Sequence, residues 1–310
     1  MGKRAFIVVG LGFGDEGKGL TTDYLCSNYK NALVVRFNGG QQAGHTVTTK
    51  NGLQHSFSNF GAGTFRNIPT YWSSYCTFSP AYFLEELDSL PVQPLMLLDG
   101  HCPVTTHYDV LYNRAIETTR GKNRLGSVGV GFGATVDRHY SSSIKLFVED
   151  LFQPARWVKK LQLIRNYYKL KIDTETDFRF DMFDHESEDR HFGEYISQIE
   201  NLITLGIVNL VKEQDVFSKN QDFETYIFEG AQGILLDINH GTHPYVTKSN
   251  TTSKNAIEIL RRNFNESELE IEIYYVTRAY HTRHGSGPFG KQISSSKLLN
   301  AVSEININNK

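Results

Sequence analysis

The stretch that decides the fold is residues 6–19, FIVVGLGFGDEGKG. Its apolar beginning, Phe6–Val9, has the length of a buried strand, and the glycine-rich loop leads into a segment with helical character at 17–29. A second apolar run, ALVVRF at 32–37, is typical of another buried strand. Strand, glycine loop, helix and strand form a βαβ unit, which predicts a P-loop-like, mostly parallel central sheet flanked by helices.

The rest of the chain is predicted to complete one α/β domain spanning 1–310. A helix is predicted over 107–120, and a second glycine-rich loop, GSVGVGFGAT, follows at 126–135. Strands are predicted again at 225–228 and 272–277, where β-branched and aromatic residues return.

Between these regions the spacing of apolar and charged residues changes, and the new pattern predicts a helical insertion at about 151–220. Apolar residues recur there at helical spacing between dense charges: Trp157, Leu161, Ile164 and Tyr168. Within the insertion, the acidic stretch DHESEDR at 184–190 is predicted to be a loop, and the Ser/Asn-rich end of the chain, 292–310, a polar tail.

Composition excludes several classes of function. A formal net charge of −2 gives no general attraction for nucleic acid or for an anionic membrane surface. The three cysteines form no C-x-x-C pair, which argues against a disulfide framework and against a zinc site. Without a signal peptide or an apolar run of membrane-spanning length, the sequence predicts a cytoplasmic protein that binds neither nucleic acid nor membrane.

The first glycine loop satisfies two nucleotide-binding patterns at once. Gly12-x-Gly14-x-x-Gly17 matches the dinucleotide-binding pattern, and Gly12-x4-Gly17-Lys18 matches a P-loop that has Gly19 where Ser or Thr is usual. The second strand ends in RFN rather than in the acid that a dinucleotide fold uses for the ribose, so phosphate chemistry is favoured. A tight strand-to-helix turn without a ligand is the simpler alternative.

Asp15 and Glu16 are unexpected inside a phosphate-binding loop. Their carboxylates would repel an anionic ligand unless one of them binds Mg²⁺ or acts as a base. The loop therefore predicts a magnesium-dependent or proton-transferring site.

Four motifs carry a family resemblance. They are GDEGKG at 14–19, GGQQAGHT at 39–46, FEGAQGILLDINHGT at 228–242 and RAYHTRHGSGPF at 278–289. Together they resemble the adenylosuccinate synthetases, in the family's order and across residues 4–289. The resemblance implies a two-step ligase: a nucleoside triphosphate phosphorylates the 6-oxygen of IMP, and L-aspartate then displaces that phosphate.

The resemblance also implies roles for individual residues. Asp15 matches the general base and a Mg²⁺ ligand, His45 the general acid, and the Gly44 carbonyl a second metal ligand. Lys18 would neutralise the moving phosphoryl group, and Gln232 would hydrogen-bond the purine edge. Nucleotide-binding positions are implied at Gly14, Glu16, Gly17, Gly19, Gln42, Ala43, Thr46, Ser127, Gly129 and Thr247. A homodimer is expected.

Each of these side chains also has a simpler interpretation. Asp15 could cap the first helix, His45 could be a hydrogen-bonded loop histidine, and Gln232 could satisfy backbone groups beside a strand. The histidines and arginines of 278–284 suggest an anion site or a structural strand end. The acids and histidines of 185–191 suggest a metal site, but a solvated run of charges is the more common case.

The sequence departs from the family pattern in the nucleotide-binding loops. Gln42 replaces the usual Asn, and Val128 and Val130 stand where a phosphate-binding threonine and an arginine are expected, leaving Ser127 as the substitute. The arginine that the family donates across its dimer interface has no clear match, and Arg138 is the candidate, displaced in sequence.

The largest departure is a C-terminus shorter than that of the common form. Only 21 residues follow Phe289, and neither the arginine-rich loop that grips aspartate nor the motif that reads guanine is found. The expectation is a compact ligase that uses GTP or ATP and acts on IMP, GMP or dGMP. It would resemble the compact relatives of archaea and phages, among which a phage 2-aminoadenylosuccinate synthetase uses dGMP instead of IMP. The alternatives are a nucleotide-binding sensor and a partial enzyme that transfers or hydrolyses phosphate without aspartate.

Overall fold

A seven-stranded sheet runs through the part of the molecule that the structure, a computed structural model, describes: residues 2–218 and 222–290. Its strands are β1 (Lys3–Gly10), β2 (Ala32–Arg36), β5 (Thr70–Trp72), β6 (Met96–Asp99), β7 (Val208–Val211), β8 (Thr225–Glu229) and β9 (Leu269–Val276). They lie in the order β7-β6-β5-β2-β8-β1-β9 with parallel neighbours. The predicted parallel α/β sheet is confirmed. Two further strands, β3 (His45–Thr48) and β4 (Gln54–Phe57), form a separate antiparallel hairpin.

Helices cover both faces of the sheet. They are α1 (Lys18–Asn28), α2 (Pro80–Ser89), α3 (His107–Thr119), α4 (Phe132–Ser141), α5 (Val148–Leu151), α6 (Pro154–Glu175), α7 (His185–Thr204), α8 (Glu213–Val216) and α9 (Lys254–Asn263). In the described ranges, none of these helices has both the length and the apolar composition that crossing a bilayer requires.

The alternation of side chains along β1 places the sheet between two helical layers. Ala5, Ile7 and Val9 pack in a cluster that includes Ile259 of α9, because successive side chains of a strand point to opposite faces. Phe6 and Val8 instead share a cluster with Leu25 of α1. Strands covered on both faces are apolar throughout, which is why the βαβ unit could be read from sequence.

The predicted helical insertion is wrong in one respect. The helices α6 and α7 are present, but the segment also contains β7, which extends the central sheet by pairing with β6. Four residues, VNLV, are too few to show a strand period beside two long amphipathic helices.

The prediction that 184–190 is a loop is also wrong, because α7 begins at His185. The side chain of Asp184 accepts a hydrogen bond from the Ser187 N–H at 3.1 Å and so caps the helix. The acids of the first turn interact favourably with the positive end of the helix dipole, so this charged stretch is a helix start. The second glycine loop is shorter than predicted, since α4 begins at Phe132, and the predicted tail at 292–310 lies outside the described residues.

Candidate active site

The loops that follow β1, β2 and β8 form one wall of a cleft of about 600 Å³. These strands are neighbours and parallel, so their carboxyl ends meet at one edge of the sheet, where open α/β folds bind ligands. The sequence-predicted residues that line the cleft are Gly14, Asp15, Gln42, Ala43, Gly44, His45, Thr46, Ser127, Gln232 and Thr247. The others, Glu16, Gly17, Lys18, Gly19 and Gly129, do not line it.

Glu16 and Lys18 are turned into the first glycine loop. Glu16 Oε1 accepts the N–H groups of Gly12 and Gly14, both at 2.8 Å, while its Oε2 lies 2.8 Å from Lys18 Nζ. Both side chains are buried. Burial lowers the pKa of Lys18, and the adjacent Glu16 carboxylate opposes that shift only in part. The loop amides therefore bind a carboxylate of the protein itself, and contact of Glu16 or Lys18 with a nucleotide stays a prediction.

Two glycines stand at the start of α1, and one of them, Gly19, allows His45 to pack closely against the helix. Gly17 has the left-handed conformation, with φ of 96°, and precedes the first turn of the helix. A Cβ at Gly19 would lie 2.7 Å from the Cβ of His45, so only glycine permits this approach. These two glycines shape the site without lining it.

Asp15 is half-buried and held by the fourth motif. Its Oδ2 accepts a hydrogen bond from Thr282 Oγ1 at 2.8 Å and lies 2.9 Å from Nε2 of His284. Burial alone would raise the pKa of Asp15, but these two donors and the charge of Arg278 lower it to about 2. Asp15 is therefore ionised at neutral pH. No local sequence pattern predicts the contacts of Asp15 with His284 and Thr282.

His45 faces a buried carboxylate that the sequence analysis did not assign. Its Nδ1 lies 2.8 Å from Oε1 of Glu229, the last residue of β8. Glu229 Oε2 accepts the Ala62 N–H at 3.2 Å and lies 3.9 Å from Arg36 Nη1. Burial lowers the pKa of His45, and Glu229 opposes that shift. The sequence held one indication of this buried carboxylate: the two apolar strands β2 and β8 each end in a charged residue, Arg36 and Glu229.

Two amide side chains on the cleft have buried polar atoms without protein partners. They are both amide atoms of Gln42 and Oε1 of Gln232. Gln232 also has a φ of 57°, a conformation that is uncommon outside glycine. Leaving such groups unpaired costs about 1–3 kcal/mol each, so the arrangement favours a ligand that supplies the missing hydrogen bonds. Amides with free donors and acceptors suit the edge of a purine base.

The second glycine loop and the 247–248 turn form another part of the lining. Ser127 Oγ donates to Asn113 Oδ1 at 3.1 Å, and both Val128 and Val130 line the cleft. Thr247 is joined there by Lys248, whose Nζ lies 3.1 Å from Asp137 Oδ1 at the half-exposed surface. Lys248 was missed in the sequence analysis because the motif it follows gives it no role.

Arg138 cannot take the role of the cross-subunit arginine in this structure. Its side chain is completely buried, with Nε 3.0 Å from Asp109 Oδ1 and Nη2 3.0 Å from Oδ2. Two backbone carbonyl oxygens, of Val104 and Ile144, accept its remaining hydrogen bonds. The predicted assignment is therefore wrong, because the guanidinium is enclosed within this chain and does not reach its surface.

Comparison with known proteins identifies the family of this chain. The sequence profile of the adenylosuccinate synthetase family matches residues 7–306. The chain is 31% identical over 299 residues to the adenylosuccinate synthetase of Pasteurella multocida, covering 94% of this chain and 66% of that protein. It is 32% identical over 293 residues to that of Vibrio cholerae, covering 93% and 64%. The chain belongs to the adenylosuccinate synthetase family.

Solved structures of adenylosuccinate synthetase and of a phage relative share the fold. The fully ligated adenylosuccinate synthetase of Plasmodium falciparum superposes with a TM-score of 0.78 at 23% identity, covering 96% of this chain and 66% of that one. The succinoaminodeoxyadenylate synthetase of cyanophage S-2L, bound to dGMP and dATP, gives 0.53 at 17%, covering 88% and 64%. This member of the family thus spans 64–66% of the length of the curated relatives described above.

The residues present fit the Mg²⁺ on which adenylosuccinate synthetases rely. Asp15 and Gly44 both line the cleft, and carboxylate and carbonyl oxygens are the ligands that this ion prefers. Among the described residues, no group of three or more His, Cys, Asp or Glu side chains is arranged to hold a metal alone. Mg²⁺ commonly binds through one or two carboxylates plus substrate phosphates and water, so this donor set suits an ion that binds together with a nucleotide.

Within the charged stretch at 185–191, Asp189 has structural partners. Asp189 Oδ1 accepts a hydrogen bond from Tyr108 at 2.7 Å and lies 2.9 Å from His107 Nε2. These contacts join α7 to α3 and lie apart from the cleft lining.

Proposed function

We propose that this chain is a purine nucleotide ligase. It transfers the γ-phosphoryl group of GTP or ATP to the 6-oxygen of IMP, GMP or dGMP, and the amine of L-aspartate then displaces the phosphate to give a succinyl-purine nucleotide. The observation that carries the proposal is the convergence of an ionised Asp15, the His45–Glu229 pair and the unpartnered amides of Gln42 and Gln232 on one cleft.

The first step needs a proton acceptor and a group that stabilises the oxygen. Asp15 accepts the N1 proton of the purine, and the electron pair shifts to the 6-oxygen, which attacks the γ-phosphorus while nucleoside diphosphate leaves. His45 lies over the same cleft and hydrogen-bonds the developing charge, with Glu229 fixing the imidazole through Nδ1. Mg²⁺, when bound, neutralises charge on the triphosphate oxygens.

The second step forms the carbon–nitrogen bond. The aspartate amine attacks C6 of the phosphorylated purine, loses a proton and expels inorganic phosphate. The amides of Gln42 and Gln232 hold the purine edge during both steps, because their free donors and acceptors point to hydrogen bonds not made within the protein.

Ser127, Thr247 and Lys248 are proposed to bind the 5′-phosphate of the purine nucleotide. Hydroxyls and a lysine ammonium are ordinary phosphate ligands, and all three residues line the cleft. Lys248 provides positive charge on the part of the cleft where Val128 and Val130 are uncharged. To bind the phosphate, Lys248 gives up its surface ion pair with Asp137. This costs little free energy, because exposed ion pairs contribute little to stability. We further propose that the protein is a homodimer and is located in the cytoplasm. Its unpaired cysteines favour a reducing compartment.

The test is a product assay. The protein is incubated with Mg²⁺, GTP or ATP, and IMP, GMP or dGMP, with and without L-aspartate, and products are read by mass spectrometry. A succinylated nucleotide that forms only with aspartate is expected. Asp15→Asn should lower turnover by about 10² to 10⁴, the usual contribution of a general base, while His101→Ala, outside the cleft lining, serves as the matched control.

Two outcomes would replace the proposal. Consumption of triphosphate without a succinylated product would make the chain a partial enzyme. Tight nucleotide binding without turnover would make it a sensor.

A further inference from the structure

The Asp15 carboxylate already contacts the side chain of His284, at an oxygen that could otherwise bind a cation. Nε2 of His284 lies 2.9 Å from Asp15 Oδ2, the same oxygen that accepts the Thr282 hydroxyl at 2.8 Å. Asp15 keeps 28% of its side chain exposed, so the carboxylate is accessible from the cleft. A divalent cation approaching Oδ2 would meet the N–H hydrogen of His284 at the same oxygen.

We propose that His284 competes with the divalent cation for Asp15 and so sets the metal affinity of the cleft. This inference rests on the proposed function, in which Asp15 is a metal ligand. Oδ2 has two lone pairs, and the Thr282 hydroxyl and the His284 N–H already use both, so a metal ion that binds this oxygen displaces one of the two donors. Repulsion between groups of the same sign of charge makes His284 the donor that leaves. The imidazole donates from Nε2 whether it is neutral or charged, so the competition requires no change of protonation.

His284 can leave by a rotation of its side chain. Its side chain is 81% exposed, whereas the backbone beside it is fixed: the Ser286 N–H donates to the Leu125 carbonyl at 3.1 Å. A Cβ at Gly285 would lie 3.0 Å from that same carbonyl oxygen, so the two loops pack closely. The backbone of this turn therefore stays in place when the side chain of His284 rotates.

The other positive groups near Asp15 act differently. Lys18 is held by Glu16 and the Gly14 carbonyl, with Nζ at 2.8 and 2.6 Å from their oxygens. Arg278 acts on Asp15 through its charge. His284 is therefore the group whose removal frees a coordination position without disturbing the glycine loop.

The experiment is a titration with Mn²⁺ of the protein in complex with IMP and a non-hydrolysable analogue of GTP or ATP, with free Mn²⁺ followed by electron paramagnetic resonance, because the ion is expected to bind together with the nucleotide. Wild type is compared with His284→Ala, His284→Phe, Asp15→Asn and, as a surface-histidine control, His101→Ala. Both His284 variants should bind Mn²⁺ about two- to fivefold more tightly, the range expected when an exposed pair no longer has to be broken. Asp15→Asn should lose this binding, and His101→Ala should match wild type.

The outcomes separate the inference from the proposed function. If Asp15→Asn loses Mn²⁺ binding but His284→Ala binds no more tightly than wild type, His284 does not compete and the inference is overturned. Weaker binding by His284→Ala also overturns it, because His284 would then be a ligand. If His284→Ala tightens binding and His284→Phe does not, the hydrogen bond is refuted as the cause. If Asp15→Asn leaves binding unchanged, the Asp15 metal assignment of the proposed function fails first.

Discussion

Replacing Arg138 by Met should destabilise the fold and leave the nucleotide site intact. Arg138 and Asp109 are completely buried, and the guanidinium makes two hydrogen bonds of 3.0 Å to the carboxylate and two more to carbonyl oxygens. Removing one partner of such a pair leaves a buried charge and costs about 3–5 kcal/mol. For a chain of this size, about 2 °C of melting temperature per kcal/mol gives a loss of about 6–10 °C.

Calorimetry and urea unfolding followed by circular dichroism measure this loss, and titration calorimetry with IMP measures binding. Adding Asp109→Asn to Arg138→Met should recover part of the stability, because the unpaired charge is then removed as well. Tyr168→Phe, which deletes the hydroxyl that donates to Asp109 at 2.7 Å and lies 3.0 Å from the Ala134 carbonyl oxygen, should cost only about 1–2 kcal/mol. An Arg138→Met protein that melts within about 1 °C of wild type yet loses IMP affinity would refute the structural role and restore a phosphate contact.

Two further predictions concern a surface lysine and a buried histidine. Lys248→Ala should raise KM for the purine nucleotide about three- to tenfold with kcat little changed, because a charge-assisted phosphate contact is lost, and Lys248→Arg should restore part of it; an unchanged KM in steady-state kinetics would exclude the contact. Burial, followed by the charge of Arg138, lowers the pKa of His139 to about 3. Between pH 6.5 and 3 the unfolded chain therefore binds a proton that the folded chain does not, so the unfolding free energy falls by about 1.4 kcal/mol for each pH unit of acidification. His139→Leu should flatten this slope in urea titrations at pH 7, 6 and 5, and parallel curves for both proteins would contradict it.

The sheet was predictable because its central strands are buried on both faces. Continuous apolar runs such as 5–9 and 32–35 indicate burial, and the loop and helix between them form a crossover, so the two strands run parallel. The sequence did not predict that β8 lies between them. The errors arose where a local pattern had two solutions. Charges at 184–190 occur in loops and equally in a first helical turn, and only the capping contact of Asp184 decides between them.

The candidate site was predictable in its local parts and not in its pairings. Asp15, His45 and Gln232 stand in motifs whose spacing is visible in one dimension, and the structure brings all three to one cleft. Their partners come from other strands: Glu229 approaches His45 from the end of β8, and His284 approaches Asp15 from beyond β9. Such contacts depend on strand order, which the order of motifs along the chain does not contain.

Glu16 shows how far the P-loop pattern of the first glycine loop predicts its structure. The pattern predicted backbone amides that bind an anion, but it did not predict that the anion is a side chain of the protein. A glycine loop between a strand and a helix presents amide N–H groups and needs an anion to bind them. In this chain Glu16 is that anion: it accepts the Gly12 and Gly14 amides and is neutralised by Lys18. An acid that looked misplaced as a neighbour of phosphate is therefore required by the loop itself. The loop is already folded around a bound charge, and its outer face, where Asp15 lines the cleft, is the part that the proposed nucleotide would contact.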